Sequence, residues 1–485
     1  MLRGITEYRV PRAVLVSAAC LAVFAGIAWA RIHWLTGAEW TLTMAAAALV
    51  SLRRRKLVAL LLIAICCFSV GWWRGTALAR QLTPYASLAQ QQVVLTGQAT
   101  ADGAYGARYQ TTFSIAHVQL LSPFSERLPG TVTVAGFGAP LIYSGDSVQV
   151  SGKLRPPFGG QQGSISFGQI RLLQRHTSWI DSLRHRFAAG LESALPEPQA
   201  SFGLGLLIGQ RNTLPADVSQ TLLAVGLTHL IAVSGYNLTI IIDTVRRLCA
   251  QRSKFQVAAA SVLLILFFLA LTGSSPSIVR AAIISLLGLA GWYYGREIKP
   301  LVLLLVAGAA TALANPLYLW GNVSWYLSFL AFFGVVIVAP LVTRRLFGTH
   351  RPRLLPSIII QTLCAEVMTL PYVLYVFGQI SLIGLLANVL VVALVPLAML
   401  LCSIAGLSGM LLPLAAGWLA WPAKELLTYM LDVSALLSRI PHSFIQHLSL
   451  GLGLLLAFYG MVLLIVFILR HKNAIITERI EGVGT

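Results

Sequence analysis

Long apolar segments recur along most of this 485-residue chain, and they restrict its fold more than any other feature. A helix needs roughly 17 to 25 mostly apolar residues to cross about 30 Å of hydrocarbon. Candidate segments lie near residues 13–30, 39–51, 57–74, 225–245, 256–274, 278–294, 300–315, 320–341, 356–377, 380–397, 399–421 and 448–469. The sequence therefore predicts a polytopic α-helical membrane protein with about 12 spans.

The composition excludes the main alternative classes. Hydrophobic residues make up 57% of the chain and charged residues only 11%, whereas an ordinary soluble domain carries about 25% charged residues. A soluble globule and an intrinsically disordered chain are therefore excluded. Six cysteines in a chain of this length make no disulfide framework. All six lie in apolar segments, where we expect small buried side chains: Cys20, Cys66, Cys67, Cys249, Cys364 and Cys402.

The charges predict how the spans are oriented. The chain has 35 Lys and Arg residues against 16 Asp and Glu residues, a formal charge of +19. A cationic cluster at 53–56 separates the second and third predicted spans, and such clusters stay on the cytoplasmic side. We therefore expect a multi-pass protein of the cytoplasmic (inner) membrane with both termini in the cytoplasm. Membrane lipid is the expected partner of many cations, and nucleic acid is the alternative partner for the rest.

Residues from about 83 to 176 have a different pattern. Short alternating segments predict five β-strands near 92–101, 108–121, 130–138, 146–154 and 164–175, which suggests a small closed barrel. Three spans from a cytoplasmic N-terminus place this barrel outside. The predicted domains are a three-span membrane region at 1–82, the extracytoplasmic barrel at 83–176, an amphipathic helix and connector at 177–199, a second membrane domain at 200–470 and a cytoplasmic tail at 471–485.

Two polar runs interrupt the start of the second membrane domain. The first is Gly209-Gln210-Arg211-Asn212-Thr213-Leu214-Pro215, and the second extends from Gly226 to Asn237 through His229, Ser234 and Gly235. Such groups inside an apolar helix need partners or water, so we expect the helix to break at Ser234-Gly235 and to line a pathway. The alternative is a kinked helix whose hydroxyl and imidazole groups are satisfied internally.

Motifs of soluble enzymes do not occur in the sequence. It has no G-x-x-x-x-G-K-[ST], no H-E-x-x-H and no paired C-x-x-C. We therefore expect no catalytic residue, no metal site and no cofactor, and any ATP-driven motor must be another protein.

The polar runs and later segments resemble the ComEC family of competence DNA channels. The two runs match Gly-x-Arg-x-x-Leu-Pro and Gly-x-x-His-Leu-x-Ala-x-Ser-Gly. Further matches are Pro-Ser-x-x-Arg-Ala from Pro276, Leu-Ser-Phe-x-Ala from Leu327, Thr369-Leu370-Pro371, Phe377-Gly378, and Asn388 with Pro396. The resemblance implies an OB-fold-like domain at 83–176 and a competence channel domain at 200–470.

The same resemblance implies a function and partners. ComEC-like proteins pass single-stranded transforming DNA across the cytoplasmic membrane during natural competence. The expected partners are single-stranded DNA, an extracytoplasmic competence DNA receptor, and a cytoplasmic ATP-driven translocase or single-strand-binding proteins. Two departures stand out: Asn237 replaces the His that is common in the family, and the H-x-H-x-D-H cluster of larger members does not occur. Degradation of the discarded strand, if it happens, is therefore not assigned to this polypeptide.

Two groups of candidate site residues follow. Arg280 and Glu366 are expected to face the interior of the second membrane domain, Arg280 towards phosphates and Glu366 as its counterion or as a hydrogen-bond partner of a broken helix; the alternative is a purely structural role for each. The channel and family-motif candidates are Arg211, His229, Ser234, Gly235, Asn237, Arg280, Glu366 and Asn388. The DNA-binding candidates are Arg108, Lys153, Arg155, Arg171, Arg175, Tyr105 and Tyr109.

The DNA-binding candidates combine cations with aromatic rings. Cations that follow a phosphate backbone and rings that stack on bases are how OB-folds hold single strands. Phe113, Phe158 and Phe167 lie in the same region. The alternative is that the aromatic side chains fill the core of the barrel.

Two other functions compete with a DNA channel. Ser234 and His229 suggest an intramembrane serine hydrolase, although positions five residues apart on a continuous helix diverge by about 140° and do not meet unless the helix breaks. A secondary transporter of a small anion is the other alternative, because such transporters are also built on broken helices.

Overall fold

The computed structural model describes residues 11–32, 57–100, 102–105, 110–138, 142–156, 160–176, 179–210, 214–231, 246, 251–272, 276–296, 298–348, 352, 354–441, 443–448 and 450–481. The chain divides into two compact units. The first contains residues 1–216, 231–325 and 399–424, and the second contains residues 217–230, 326–398 and 425–485. The predicted span at 39–51 lies outside the described residues.

The first unit begins with a helical pair, α1 (Arg12–Ala30) and α2 (Leu57–Ser87). Glycines let the two backbones approach closely, because a side chain on Gly26 would overlap the Phe68 carbonyl. Helix α2 is longer than the predicted span at 57–74 and runs past the predicted boundary at residue 82. Its C-terminal end enters the core of the following sheet, where Tyr85 is buried and donates a hydrogen bond to the Pro129 carbonyl oxygen at 2.9 Å.

A seven-stranded mixed sheet follows α2. Its strands are β1 (Gln92–Ala99), β2 (Ala104–Tyr105), β3 (Thr111–Ser122), β4 (Glu126–Arg127), β5 (Val132–Phe137), β6 (Ser147–Arg155) and β7 (Gly163–Gln174). The five long strands correspond to the five predicted ones. They pair in the circuit β1-β6-β7-β5-β3 and back to β1, with every pairing antiparallel except β5 with β7.

The alternating sequence of these strands explains which side chains form the core. Along β6, every second residue from Val148 to Leu154 is buried, while Lys153 and Arg155 are exposed. This period of two is the geometry of a strand with one apolar face. Phe113 is among the buried residues, so it fills the core and is not a base-stacking residue.

Helix α3 (Trp179–Ala194) corresponds to the predicted amphipathic helix at 177–199. Its Arg184 contacts Asp102 beside the sheet at 3.7 Å and donates to the Ala270 carbonyl oxygen at 3.0 Å. Further along the helix, Gly190 contacts the backbone of residues 406–410. The amphipathic helix therefore joins the sheet to apolar helices of the same unit.

Short apolar helices complete the first unit. They are α4 (Gln199–Ile208), α6 (Lys254–Thr272), α7 (Pro276–Tyr293), α8 (Pro300–Ala314) and α9 (Leu317–Gly321), whereas α5 (Ala216–Ala224) belongs mostly to the second unit. Arg74 holds the C-terminal end of α8, because it donates to the carbonyl oxygens of Leu313 and Ala314 at 2.8 Å each. Asn315 donates to Gly160 of the sheet domain at 2.9 Å.

The remaining elements contain several breaks. After α10 (Val323–Phe333) come a π-helical turn (Gly334–Val338), α11 (Ala339–Phe347), α12 (Leu354–Phe377), β8 (Gln379–Ser381), α13 (Gly384–Val391), a 3₁₀ turn (Val392–Leu394), α14 (Val395–Leu411), α15 (Ala416–Ser438), β9 (Phe444–Gln446) and α16 (Leu452–Glu481). Two predicted boundaries are therefore wrong. The span at 380–397 starts with a strand, and the span at 399–421 ends at Leu411.

Six helices in the described part of the chain are long and apolar enough to cross a membrane. They are Arg12–Ala30, Leu60–Ser87, Val323–Phe347, Pro356–Phe377, Gly384–Leu411 and Leu452–Leu469. Four shorter apolar helices accompany them: Gln199–Ile208, Lys254–Ala270, Ser277–Tyr293 and Pro300–Ala314. The chain is a multi-pass helical membrane protein, and the number of about 12 spans stays a prediction.

Candidate functional site

A polar cluster lies inside the apolar second unit, where α12 gives way to non-helical backbone. Gly378 ends α12 with a φ of 64°, and β8 then pairs with β9. The Leu382 N–H donates to the Ser443 carbonyl oxygen at 2.7 Å, and the Leu448 N–H donates to Gly378 at 2.9 Å. The β8–β9 ladder therefore satisfies backbone groups that a helix would satisfy internally, between the candidate spans Pro356–Phe377 and Gly384–Leu411.

Glu366 and Asn388 face each other across this break. Glu366 lies on α12 and Asn388 on α13, and a hydrogen bond joins their side chains. The amide oxygen of Asn388 is enclosed and accepts no hydrogen bond within the described residues. The Asn388 amide nitrogen is therefore the donor to the Glu366 carboxylate.

Glycines let three segments of chain meet at this cluster. A methyl group on Gly384 would lie 3.1 Å from Glu366 Oε1 and 3.7 Å from the Val225 carbonyl oxygen. A methyl group on Gly226 would lie 3.3 Å from Ser381 Cβ and 3.6 Å from Gly384 Cα. Gly226 also has a φ of 75°, a conformation that L side chains rarely adopt. The turn at 225–226 therefore lies against the junction between β8 and α13.

His229 follows this turn in a single 3₁₀ turn, Thr228–Leu230. Its Nδ1 lies 3.2 Å from the Gly226 carbonyl oxygen. The bond ties the ring to the same turn that contacts Ser381 and Gly384. Four other motif candidates, Arg211, Ser234, Gly235 and Asn237, lie outside the described residues, and so does the predicted break at Ser234-Gly235.

Arg280 lies on α7 in the first unit, and only 6% of its surface is exposed. Glu366 belongs to the second unit. The predictions that both face one interior and that Arg280 contacts phosphates therefore stay predictions.

The sheet presents a second candidate surface, which we call the β6–β7 face: Lys153 and Arg155 on β6 with Phe167 and Arg171 on β7. All four side chains are exposed. In the register of the two strands, Lys153 lies opposite Ser166 and Arg171 lies opposite Gln149. The three cations thus lie on neighbouring strands within about 20 Å along the strand direction.

Phe167 is unusual within this face. Its φ is 58°, and the ladder between β5 and β7 shifts register beside it. A bulky residue with positive φ is a genuine outlier, and β-bulges often re-aim a side chain near functional sites. Here the bulge turns an aromatic ring outward, where 55% of its surface is exposed.

The other predicted DNA-binding residues do not belong to the β6–β7 face. Arg175 lies over the Tyr143 ring at 4.9 Å and pairs with the buried Asp146 at 3.7 Å, so part of its charge is already balanced. Tyr105 lies on β2, but only its backbone is described. Arg108 and Tyr109 lie outside the described residues.

Sequence reasoning named Gly226 only as the first residue of a motif, and it missed Ser381, Gly384 and the outward orientation of Phe167. Ser381 and Gly384 lie among apolar residues, which gave no signal of a polar cluster. Phe167 had no signal, because an alternating strand pattern does not reveal a bulge.

Comparisons with known proteins show the family to which this chain belongs. A family model described as Competence protein matches residues 206–472, which is more than half of the chain. The chain is also similar to ComE operon protein 3 of Bacillus subtilis (strain 168), with 27% identity over 348 residues. That match covers 64% of this chain and 43% of the relative, less than half of the relative's length. No solved structure matches the chain. The chain belongs to the competence protein family, in agreement with the resemblance of its motifs to ComEC.

Proposed function

We propose that this chain forms a channel for single-stranded transforming DNA in the cytoplasmic membrane during natural competence. The observation that carries the proposal is the family match over 206–472, which includes the polar cluster at the broken helices. A strand with one charge per nucleotide needs water and polar groups to cross hydrocarbon. Broken helices line such pathways in other membrane proteins.

The sheet domain is proposed to be an OB-fold-like barrel that holds DNA on the extracytoplasmic side. The circuit of five paired strands, with one parallel pair, supports a closed barrel. The β6–β7 face supports DNA binding, because it combines three exposed cations with one exposed ring. The termini then lie in the cytoplasm, with a DNA receptor outside and an ATP-driven translocase or single-strand-binding proteins inside.

Deletion of the gene tests the function directly. We expect transformation frequency and entry of labelled DNA into the cytosol to be lost, while DNA bound at the cell surface remains. Complementation with the wild-type gene restores entry. Unchanged transformation in the deletion strain would refute the proposal.

Replacement of Phe167 by alanine tests the β6–β7 face. Stacking on one base contributes about 1–3 kcal/mol, so we expect single-stranded DNA to bind the purified protein about 5- to 150-fold more weakly. Phe124→Ala is the matched control, because Phe124 is also an exposed phenylalanine but lies in the β3–β4 turn. Equal losses in the two variants, or no loss in Phe167→Ala, would remove this face from the proposal.

Neutralisation of Lys153, Arg155 and Arg171 by glutamine tests the electrostatic part of the same face. Each lost phosphate contact reduces the slope of log affinity against log salt by about 0.7 for single strands. The variant is therefore expected to bind more weakly at low salt and to depend less on salt. Arg345→Gln is the control, because Arg345 is an exposed cation on α11. A triple variant with the wild-type salt slope would contradict phosphate binding at this face.

A further inference from the structure

Three oxygen atoms in the second unit are enclosed without a hydrogen-bond partner among the described residues. They are Glu366 Oε2, Ser381 Oγ and Asn388 Oδ1. They belong to α12, β8 and α13, the three elements that meet at the break. Enclosed polar atoms are normally satisfied, and each exception needs a physical explanation.

The three side chains surround Gly384. Glu366 Oε1 and Ser381 Cβ would lie 3.1 Å and 3.7 Å from a methyl group at that position. Asn388 lies one helical turn further along α13 and bonds to Glu366. The Val225 carbonyl oxygen is also 3.7 Å from the same point. Glu366 Oε1, Ser381 Cβ and the Val225 carbonyl oxygen therefore lie within 3.7 Å of one point beside Gly384, and Asn388 bonds to the same carboxylate.

These side chains do not satisfy one another. The Asn388 amide nitrogen is already used on Glu366, and an ionised carboxylate and an amide oxygen are both acceptors. The Ser381 hydroxyl is a donor, but it forms no hydrogen bond with either oxygen. An enclosed carboxylate oxygen without a donor is costly in apolar surroundings. A hard cation is a ligand that accepts lone pairs from carboxylate, amide and hydroxyl oxygens together.

The charge of the cluster selects the class of cation. Glu366 supplies a single negative charge, and Ser381 and Asn388 are neutral. A monovalent cation balances this charge, whereas a divalent cation leaves a net positive charge in a low-dielectric region.

We propose that Glu366, Ser381 and Asn388 form a binding site for an alkali-metal cation, with the Val225 carbonyl oxygen at its edge. The bound cation neutralises the carboxylate at membrane depth and ties α12 to the broken segment β8–α13. The turn at 225–226, which carries His229, is held by the same contacts. The inference does not depend on DNA transport, and its test uses no DNA.

The test measures thermal unfolding of the full chain purified in detergent. NaCl and KCl are titrated separately against choline chloride at constant ionic strength. A ligand that binds only the folded state raises the unfolding temperature progressively with its concentration. We expect Na⁺ or K⁺ to raise that temperature while choline does not, and equilibrium binding of radioactive ²²Na⁺ or ⁸⁶Rb⁺ to saturate at a single ion per chain.

Variants assign the effect to the cluster. Glu366→Gln keeps the shape of the side chain but removes its charge. We expect the affinity for the cation to fall by at least about 100-fold. Ser381→Ala removes one neutral ligand, for which we expect a loss of about tenfold. Glu425→Gln is the matched control, because Glu425 is exposed on α15. If Glu366→Gln fails to accumulate, Ser381→Ala carries the test.

Three results would overturn the proposal. The first is the same unfolding temperature in choline as in alkali chlorides. The second is a cation effect that persists in both cluster variants. The third is an infrared band of a protonated carboxylic acid, absent from Glu366→Gln and insensitive to Na⁺ and K⁺, which would assign a proton to the site.

Discussion

Replacement of Gly409 by leucine is expected to prevent the protein from accumulating in the membrane. Gly409 on α14 meets Gly190 on α3, and any side chain at position 409 would overlap the Gly190 backbone. A side chain at position 190 would also overlap backbone, because a methyl group on Gly190 would lie 2.7 Å from the Gly406 carbonyl oxygen and 2.8 Å from the Met410 nitrogen.

The expected loss of stability is large because the added side chain would overlap backbone atoms, which cannot move aside as a side chain can. Overpacking a core with added methylenes typically costs about 1–3 kcal/mol when neighbouring side chains can move. Here one helix must shift as a whole, and small residues at such seams are what allow membrane helices to approach closely. We therefore expect a loss of about 3 kcal/mol or more in unfolding free energy.

Gly417→Leu provides the matched control for this prediction. Gly417 lies on α15, and a methyl group there would have no heavy atom within 4 Å. We expect its effect on stability to stay within about 0.5 kcal/mol. Accumulation and detergent thermal unfolding of the two variants are the measurements. A Gly409→Leu protein as stable as the Gly417→Leu protein would show that α3 and α14 do not meet at this seam.

The sequence predicted best those features that follow from periodicity. The five long strands were found because apolar and polar residues alternate along them, as Val148 to Leu154 do. Helix α2 was predicted too short because the apolar run ends near Arg74, whereas the helix continues through more polar residues to Ser87. The span at 380–397 was wrong because Ile380 and Leu382 are as apolar in a strand and turn as in a membrane helix.

The candidate site was predictable only in part, for a similar reason. Glu366 was singled out because a carboxylate in an apolar segment is costly, and Asn388 because it matches a family motif. Ser381 carried no such signal, since a serine in a membrane helix satisfies its hydroxyl on its own backbone, as Ser403 does on Met399. Only the three-dimensional contacts bring Ser381, Gly384 and the turn at Gly226 to the same point.

Replacement of Asp146 by alanine is expected to loosen the sheet domain selectively. Asp146 is fully buried, and its carboxylate accepts hydrogen bonds from the N–H groups of Tyr143 at 3.0 Å and His176 at 3.1 Å. Arg175 lies 3.7 Å from the same carboxylate. One side chain therefore closes the turn before β6 and fixes the chain that leaves β7.

The expected size follows from the two orphaned donors. A buried donor that loses its acceptor costs about 1–3 kcal/mol, so the alanine variant should lose about 3 kcal/mol of local stability. That difference corresponds to roughly 100-fold faster amide exchange in the segments that open with the turn. Hydrogen–deuterium exchange of peptides covering 142–156 and 163–176 is the measurement.

Two comparisons make this prediction specific to the buried carboxylate. Asp146→Asn keeps one acceptor oxygen and should recover part of the protection, because one of the two N–H groups retains its partner. Glu126→Ala removes an exposed carboxylate on the short strand β4 and should leave exchange in both segments unchanged. In all three variants the exchange of α16 should match the wild type, since Asp146 belongs to the first unit and α16 to the second.

Wild-type exchange in the 142–156 peptides of Asp146→Ala would contradict the prediction. It would mean that the turn is held by its backbone alone, through the hydrogen bonds that join Ala99 to Gly145 and Asp146.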